Sequence, residues 1–163
     1  MSDFTASVDG GPAIQFLGAD GLTVNSLSGD DEIDLQLDPN LPDTSFDFHQ
    51  IDQVILNLVR NAVESMMDMP SGVRELTIQT RMGGQHAVIV TVADTGPGLS
   101  ADVRDQVFNP FVTTKPSGMG LGLSISKGII ESHKGNLYFD AEPGKGAVFR
   151  FTLPVDTGER PSE

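Results

Sequence analysis

The sequence predicts a two-layer α/β sandwich in which helices cover one face of a mixed β-sheet. Apolar residues recur at the helical period of about 3.6 residues over positions 48–66 and again over 121–133. Apolar and polar residues alternate before the first helix and on both sides of two glycine-containing turns, as in half-buried strands. The order strand, helix, hairpin, loop, helix, hairpin allows both helices to stack on the same side of one sheet.

Composition and charge restrict the class of protein. The chain has 163 residues, enough for one domain with a buried core. Its 10 basic and 23 acidic residues give a net charge of −13, which argues against contact with nucleic acid or with an anionic membrane surface. The absence of Cys excludes disulfide bonds and zinc–thiolate sites.

The pattern divides the chain into three segments. Residues 1–29, rich in Gly, Ser and Asp, are an unassigned N-terminal segment or linker, residues 30–155 form the domain, and residues 156–163 are a polar tail. No apolar run approaches the roughly 20 residues of a membrane span, and the first residues lack the features of a signal peptide. We therefore expect a cytoplasmic domain, whose parent protein could still be membrane-bound.

The first strand and the first helix have clear boundary signals. Residues Glu32–Asp38 alternate as a half-buried strand, and Pro39 ends it. Asp47 is placed to be the N-cap of the helix, and the segment Pro70–Gly72 is placed to end it. The residues expected on the buried face of this helix are Phe48, Ile51, Val54, Ile55, Leu58, Ala62, Val63 and Met66.

Two hairpins supply the other strands. The first joins Leu76–Thr80 to Val88–Val92 through a turn at Gly83-Gly84. The second joins Asn136–Ala141 to Ala147–Leu153.

Two further helices lie between the hairpins. Ser100 is expected to cap a short helix over Ala101–Val107. A longer helix is predicted over Leu121–His133, with Ile125 on its apolar face and Gly135 as the residue that follows its C-terminus.

The stretch from Asp94 to Gly122 is typical of a nucleotide pocket. Its glycines are Gly96, Gly98, Gly118, Gly120 and Gly122. Glycines let backbone N–H groups approach phosphate oxygens, and the last three lead into a helix whose N-terminus favours anions. The Asp94 carboxylate could accept a hydrogen bond from an exocyclic amine, which would select adenine. The alternatives are an Asp-initiated turn and glycines that serve only tight packing.

Two asparagines on the first helix are candidates for metal binding. Asn57 and Asn61 lie one turn apart, in a polar stripe with Gln53 and Glu64. An Asn side-chain oxygen can ligate Mg²⁺, which prefers oxygen ligands. A chain this acidic needs such a cation to bind the anion ATP. The alternative is a pair of solvent-facing side chains on the exposed side of an amphipathic helix.

A loop with aromatic ends precedes the last glycines. Phe108 and Phe111 are expected to anchor a mobile loop by its apolar ends. Lys115 is the one cation of this loop and is placed to meet a γ-phosphate as a point charge. The alternative is an ordinary surface lysine.

Together, and in this order, these elements resemble the ATP-binding catalytic domain of bacterial sensor histidine kinases, which has the Bergerat fold of the GHKL superfamily. QVILNLVRNAVES is similar to the N box, DTGPG to the G1 box, FNPFVTTK to the F box and GMGLGLSIS to the G2 box. The resemblance covers about Glu32 to Pro154. The short lid ending in TTKPSGMGLGL is similar to that of the nitrogen-regulation and oxygen-sensing subfamily.

The resemblance implies a role for each site residue. Asn61 and Asn57 would hold Mg²⁺, and Asp94 would read the adenine amine. Lys115 would touch the phosphates from the lid, with Arg60 as a further phosphate contact. The residues implied to bind ATP are Asn57, Arg60, Asn61, Asp94, Gly96, Gly98, Lys115, Gly118, Met119, Gly120, Leu121 and Gly122. Of these, Asn57, Asn61 and Lys115 would take part in catalysis.

The chain departs from the family pattern near the predicted adenine site. Some members carry Lys and Tyr three and four residues after the second Asn, where this chain has Glu64 and Ser65. We therefore expect no aromatic stack on adenine from this helix. Ala147 stands where the family often has Ser or Thr, which removes a possible water-mediated contact to the base.

The phospho-acceptor of the family is missing. It is a His followed by an acidic residue and soon after by a Pro, and His49, His86 and His133 do not fit this pattern. We interpret them as structural or solvent-facing. The implied function is that of an incomplete protein-histidine kinase of a two-component system. It would transfer the γ-phosphoryl group of Mg-ATP to a histidine on a dimerisation domain, in cis in the parent protein or in trans, with a response regulator downstream.

Other functions stay open at this point. The GHKL ATPases place a Glu four residues before the second Asn, where this chain has Asn57. A neutral carboxamide is not a general base, so hydrolysis by a stand-alone GHKL ATPase should be slow. A non-catalytic nucleotide-binding regulatory module is the second alternative, and the intact glycines, Asn61 and Asp94 argue against it. A protein-serine kinase of the anti-sigma type is more distant.

Overall fold

The computed structural model describes residues 4–7, 13–17, 21–25, 31–67, 69, 74–115, 118–140 and 146–155. Within these ranges the chain forms two β-sheets and three helices. The strands are β1 (Phe4–Ser7), β2 (Ala13–Leu17), β3 (Gly21–Asn25), β4 (Asp31–Leu37), β5 (Arg74–Met82), β6 (Ala87–Asp94), β7 (Leu137–Asp140) and β8 (Val148–Pro154). The helices are α1 (Phe48–Met67), α2 (Ala101–Arg104) and α3 (Gly122–Ser132).

The N-terminal segment contains a small antiparallel sheet in the order β1-β2-β3. The sequence pattern assigns no structure to this segment, so these strands were not predicted. The strands are only four or five residues long, so their alternation is too short to stand out from the surrounding Gly, Ser and Asp residues.

The second sheet has five strands in the order β4-β5-β6-β8-β7. β4 and β5 are parallel, with Leu35 opposite Ile78, because the intervening α1 returns the chain to the same end of the sheet. The other neighbours are antiparallel, with Val90 of β6 opposite Phe151 of β8. This arrangement confirms the predicted mixed sheet.

Helices α1 and α3 pack against this sheet and enclose the core, which confirms the predicted two-layer sandwich. None of the described helices is long and apolar enough to cross a membrane. The buried apolar side chains of this core are Ile51, Val54, Leu58, Val59, Ala62, Met66, Leu76, Ile78, Val88, Val90, Val92, Val107, Ile130, Leu137, Ala147, Phe149, Phe151 and Leu153.

The start of α1 has the predicted cap. The Asp47 Oδ1 atom accepts a hydrogen bond from the Gln50 N–H at 3.2 Å. Phe48, predicted on the buried face, is 64% exposed because it lies in the first turn, ahead of Ile51, the first buried residue of the helix. Near the other end, Arg74 Nε donates to the Met66 carbonyl at 3.0 Å. The predicted stop at residues 70–72 lies outside the described residues.

The end of α3 is joined to the start of α1 by a histidine. His133 Nε2 accepts a hydrogen bond from the Asp47 N–H at 3.0 Å, while Nδ1 lies 2.8 Å from the Ile129 carbonyl. This geometry requires the tautomer protonated on Nδ1. His133 is therefore structural, as predicted, and His49 and His86 are exposed.

Two details of α3 differ from the prediction. Lys134, not Gly135, has the positive φ, 61°. Gly135 is instead needed because a Cβ there would overlap the Thr152 carbonyl of β8. Ile125, predicted on the apolar face, is 48% exposed, and the neighbouring Ser126 is buried in its place.

The remaining connections are close to the prediction. The turn at Gly83-Gly84 is present, closed by the Gly83 N–H and the Ala87 carbonyl at 2.7 Å. Helix α2 ends at Arg104, three residues earlier than predicted, and Val107 lies in the turns that follow. Ser100 occupies the N-cap position but makes no side-chain capping bond.

Candidate nucleotide-binding site

Asp94 ends β6 inside the protein, with 6% of its surface exposed. Its Oδ1 atom accepts hydrogen bonds from Gly96 N–H at 2.8 Å, Ser65 Oγ at 3.3 Å and Ala147 N–H at 3.4 Å. All three donors reach the same oxygen, and among the described residues none donates to Oδ2. The carboxylate is therefore held through one oxygen, and the other has no donor among the described residues.

Burial raises the pKa of the Asp94 carboxyl above its ordinary value of 3.8. The hydrogen bonds from Gly96, Ala147 and Ser65 act in the opposite direction because they stabilise the charged form. Burial is the larger effect. A ligand that donates a hydrogen bond to Oδ2 would add a further stabilising contact to this costly charge.

The lid lysine lies across the polar stripe of α1. Lys115 Nζ forms an ion pair with Glu64 Oε2 and lies 3.5 Å from Asn61 Oδ1. Its backbone is folded into a turn, with Lys115 N–H donating to Thr113 Oγ1 at 3.1 Å and Gly118 N–H donating to the Lys115 carbonyl at 3.2 Å. The lid cation therefore lies beside Asn61 and Glu64 of α1, a contact that the sequence did not predict.

Asn57 fixes the start of α3 against α1. Its Nδ2 atom donates to Ser126 Oγ at 3.0 Å. Its Oδ1 atom lies so close to Gly122 that a Cβ at this position would overlap it. A side chain on the glycine that opens α3 would therefore displace the Asn57 carboxamide from its present position.

Gly120 closes the base of the lid. Its φ of 66° is in the left-handed region, and a Cβ would lie 2.6 Å from the Phe111 carbonyl carbon. The Phe111 N–H donates to the Gly120 carbonyl at 2.9 Å, so the two ends of the lid are held together. Close packing, the alternative considered for these glycines, thus explains part of their placement.

The two aromatic residues of the lid have different environments. Phe108 packs on the core, with its ring 6.4 Å from that of Phe149 and Lys127 Nζ 5.4 Å from its centroid. It is the predicted anchor. Phe111 is 76% exposed, so the prediction that it also anchors the loop is wrong. Its positive φ of 66° belongs to a tight turn that directs the chain back to Gly120.

No hydrogen bond is described between the other predicted residues and Asp94, Lys115 or the two asparagines. Arg60, on α1, and Met119, beside Gly120, are exposed, and Leu121 is half-buried at the start of α3. Gly98 lies beside Gly146, at the Asp94 end. The sequence missed Ser65 as an Asp94 contact, although its spacing of four residues from Asn61 places it on the same helix face.

One stripe of α1 therefore touches all the predicted motifs. Asn57, Asn61 and Ser65 are spaced by four residues and lie on one face of the helix. Asn57 contacts α3, Asn61 contacts the lid lysine, and Ser65 contacts the carboxylate at the end of β6. The four sequence motifs meet along this helix.

The donor set indicates what kind of metal site is possible. Among the described residues no group of three or more His, Cys, Asp or Glu side chains could hold a metal ion. The Asn61 and Asn57 oxygens fit Mg²⁺ only as one or two ligands of a shared site, in which phosphate oxygens and water supply the others.

A family model described as "Histidine kinase-, DNA gyrase B-, and HSP90-like ATPase" matches residues 46–157, and the chain belongs to this family. With the homologues described next, the match defines the chain as an ATP-binding catalytic domain of the two-component sensor histidine kinase class. The resemblance to the catalytic domains of sensor histidine kinases is thereby confirmed, while the subfamily stays a prediction.

Two curated relatives are sensor proteins. Sensor protein FixL of Bradyrhizobium diazoefficiens is 43% identical over 124 residues, which cover 76% of this chain and 24% of FixL. The C4-dicarboxylate transport sensor protein DctS of Rhodobacter capsulatus is 41% identical over 119 residues, which cover 73% of this chain and 18% of DctS. The chain thus spans about a quarter or less of the length of these relatives.

Two solved structures have the same fold. The nucleotide-free catalytic domain of histidine kinase ThkA is 30% identical, with a TM-score of 0.65, and the match covers 77% of this chain and 80% of that one. Full-length ShkA in complex with AMPPNP is 31% identical, with a TM-score of 0.66, covering 76% of this chain and 25% of that one. These matches confirm the predicted fold class.

Proposed function

We propose that this chain binds Mg-ATP along the face of α1 that carries Asn57, Asn61 and Ser65. In this proposal it transfers the γ-phosphoryl group to a histidine on a dimerisation domain outside this chain. The observation that carries the proposal is that Asn57, Asn61 and Ser65, on one helix face, contact α3, the lid and Asp94. Membership of the ATPase family and the sensor-kinase relatives support it.

Asp94 recognises the base in this proposal. Its free Oδ2 accepts a hydrogen bond from the exocyclic amine of adenine, while Ser65, Gly96 and Ala147 hold Oδ1. Guanine carries a carbonyl at the corresponding ring position, which would place an acceptor against the carboxylate. A site built around a buried hydrogen-bonding group rejects a base that leaves it unpaired.

The phosphates lie at the Asn57–Asn61 end. Lys115 contacts them from the lid as a cation, and Arg60 and the backbone from Gly118 to Gly122 lie beside them. Bound Mg²⁺, held by Asn61 and Asn57, supplies neutralisation of phosphate charge. The N-terminus of α3 adds its positive dipole end.

The nucleophile comes from another domain. His49 and His86 are exposed but are not followed by an acidic residue, and both nitrogens of His133 are engaged within the fold. A neutral imidazole is a competent nucleophile near neutral pH, so transfer requires positioning and charge neutralisation more than a base. The Asn57 carboxamide cannot deprotonate water, which keeps hydrolysis slow.

An exposed apolar surface supports docking of the histidine-bearing domain. Phe111 and Met119 are each 76% exposed, and Ile125 is 48% exposed. Phe111 is hydrogen-bonded to Gly120, next to Met119, and Ile125 follows within the first turn of α3. A docked helix covering this surface would lie beside the γ-phosphate. A response regulator would then receive the phosphoryl group from the histidine.

The direct test is a titration with a non-hydrolysable ATP analogue, with and without Mg²⁺. We expect Mg²⁺-dependent binding, weakened by Asn61→Ala and unchanged by Asn40→Ala, an exposed turn residue. No binding at millimolar analogue would contradict the proposal.

A second test adds radiolabelled ATP and a separately produced histidine-bearing dimerisation domain. We expect label on that domain and negligible label on this chain. Rapid turnover in buffer would instead support a stand-alone ATPase. Binding without transfer would support a regulatory module.

A further inference from the structure

Glu64 places a negative charge beside the proposed phosphate site, where it would repel the phosphates of ATP. It lies on α1 three residues after Asn61, on the same side of the helix. Its Oε2 forms the ion pair with Lys115 Nζ, the only lid cation in residues 108–115. This carboxylate opposes phosphate binding unless its pairing with Lys115 has a function of its own.

The ion pair is partly exposed. Side-chain exposure is 34% for Lys115 and 28% for Glu64, and Asn61 Oδ1 lies 3.5 Å from the same ammonium. The pair therefore spans from the lid to the helix stripe at the phosphate end of the site. The positive charge of Lys115 is therefore paired with a carboxylate in the absence of nucleotide.

We propose that Glu64 is a positioning residue that holds the Lys115 ammonium in place and yields it to the terminal phosphate of ATP. This inference rests on the proposed function, in which Lys115 contacts the γ-phosphate. When ATP binds, its γ-phosphate replaces the Glu64 carboxylate as the counter-ion of Lys115. After transfer, the diphosphate leaves Lys115 without its phosphate partner, and Glu64 recaptures it.

The exchange has a specific consequence for nucleotide preference. Glu64 competes only with the phosphate group that Lys115 reaches, so it weakens ATP binding more than ADP binding. Replacing the carboxylate by a carboxamide should remove this competition. The Glu64→Gln variant should therefore bind the ATP analogue roughly two- to fivefold more tightly, the range that a partly exposed ion pair supports, with a smaller change for ADP.

The lid should also report the loss of the pair without any nucleotide. The Lys115 and Gly118 N–H groups are bonded within the lid turn, to Thr113 Oγ1 and to the Lys115 carbonyl. Glu64 fixes this turn to α1 through the lysine side chain. Amide hydrogen exchange at Lys115 and Gly118 should be faster in Glu64→Gln than in the natural sequence.

The experiment is a double-mutant cycle. Dissociation constants of the Mg²⁺ complexes of an ATP analogue and of ADP are measured for the natural sequence, Glu64→Gln, Lys115→Ala and the double variant. Glu131→Gln is the matched control, because Glu131 pairs with Lys127 at 3.9 Å on the surface of α3. We expect tighter analogue binding for Glu64→Gln only when Lys115 is present, and no change for the control.

The outcomes separate this inference from the proposed function. Equal tightening by Glu64→Gln with and without Lys115 would show simple repulsion and overturn the inference. Unchanged affinity and unchanged exchange at Lys115 and Gly118 in Glu64→Gln would overturn it alone, provided the natural sequence binds the analogue. A natural sequence that binds no analogue would overturn both.

Discussion

The Ser65 hydroxyl lies 3.3 Å from Asp94 Oδ1 and 2.9 Å from the carbonyl of Ala62, so its single proton is shared between helix and carboxylate. The two residues are separated by 29 positions in the chain. The contact joins α1 to the end of β6 at the point where the base is proposed to bind. It gives Ser65 a positioning role, which the sequence alone had not assigned.

Replacing this serine should loosen Asp94. In Ser65→Ala, the carboxylate loses one of its three donors, and we expect a loss of about 1 kcal/mol in the free energy of unfolding. We also expect a few-fold weaker affinity for the ATP analogue. Ser132→Ala is the matched control, since its hydroxyl makes the same type of bond to the Ile129 carbonyl on the exposed end of α3. Equal effects of the two variants would contradict a role for the Asp94 contact.

Asp94→Asn should weaken binding of the ATP analogue while keeping the hydrogen bonds that hold this side chain. The variant keeps an oxygen for the three donors but removes the charge that is proposed to face the adenine amine. Loss of a charge-assisted hydrogen bond of about 1.5–3 kcal/mol predicts roughly ten- to hundredfold weaker binding of the ATP analogue. Isothermal titration calorimetry measures this. Binding within twofold of the natural sequence would remove Asp94 from the site.

The same variant should change how stability depends on pH. Burial raises the folded-state pKa of Asp94 above 3.8, so the folded chain binds more protons than the unfolded chain between the two pKa values. The stability from this group is fully present below 3.8 and is lost as pH rises through the folded-state pKa. The unfolding free energy of Asp94→Asn minus that of the natural sequence should therefore increase with pH over this window. Urea denaturation at a series of pH values tests this, and a flat difference would contradict it.

Two glycines of α3 form a matched pair for testing helix contact. A Cβ on Gly122 would overlap Asn57 Oδ1, whereas a Cβ on Gly128 would meet nothing within 4 Å. Gly122→Ala should therefore displace Asn57 and weaken both stability and ATP-analogue binding. Gly128→Ala should stabilise the chain by about 0.5–1 kcal/mol, the helix preference for Ala over Gly. Thermal unfolding of both variants is the measurement, and similar shifts would show that the Asn57 contact is unimportant.

Phe111 should matter for the partner domain and not for the fold. It is exposed and has a φ of 66°, which costs a residue with a Cβ roughly 1–2 kcal/mol. Phe111→Asn tolerates this backbone better, so stability and ATP-analogue affinity should be kept or slightly raised. Phosphoryl transfer to the dimerisation domain should fall. Phe108→Ala is the contrasting variant, and we expect it to destabilise the chain because Phe108 packs on the core. Unchanged transfer by Phe111→Asn would exclude this surface as the docking site.

Local pattern was enough to predict the sandwich. The helical period marked the face of α1 that packs on the sheet, and strict alternation marked the strands of the second sheet. Phe48 and Ile125 show where this reasoning fails. Periodicity identifies a face of a helix, but it cannot tell which turns of that face extend beyond the neighbouring element.

The site was predicted as motifs, and its internal contacts were not. The distance in sequence between Ser65 and Asp94, or between Glu64 and Lys115, leaves no local signal that these side chains meet. The contact of Gly135 with β8 was also not predictable, because a glycine after a helix indicates a cap as readily as the close approach of a strand. Such contacts depend on the packing of whole elements.

In the proposed complex, the spacing of Asn57, Asn61 and Ser65 on α1 fixes the distance between the base and the phosphates. With a rise of about 1.5 Å per residue, Asn61 lies roughly 6 Å and Asn57 roughly 12 Å along the helix from Ser65. Rigid helix geometry would then set the length of nucleotide that fits, and the lid could vary in length without changing it. A single residue inserted between Asn61 and Ser65 would rotate one end of this helix face by about 100° relative to the other and would separate the proposed base contact from the proposed phosphate contacts.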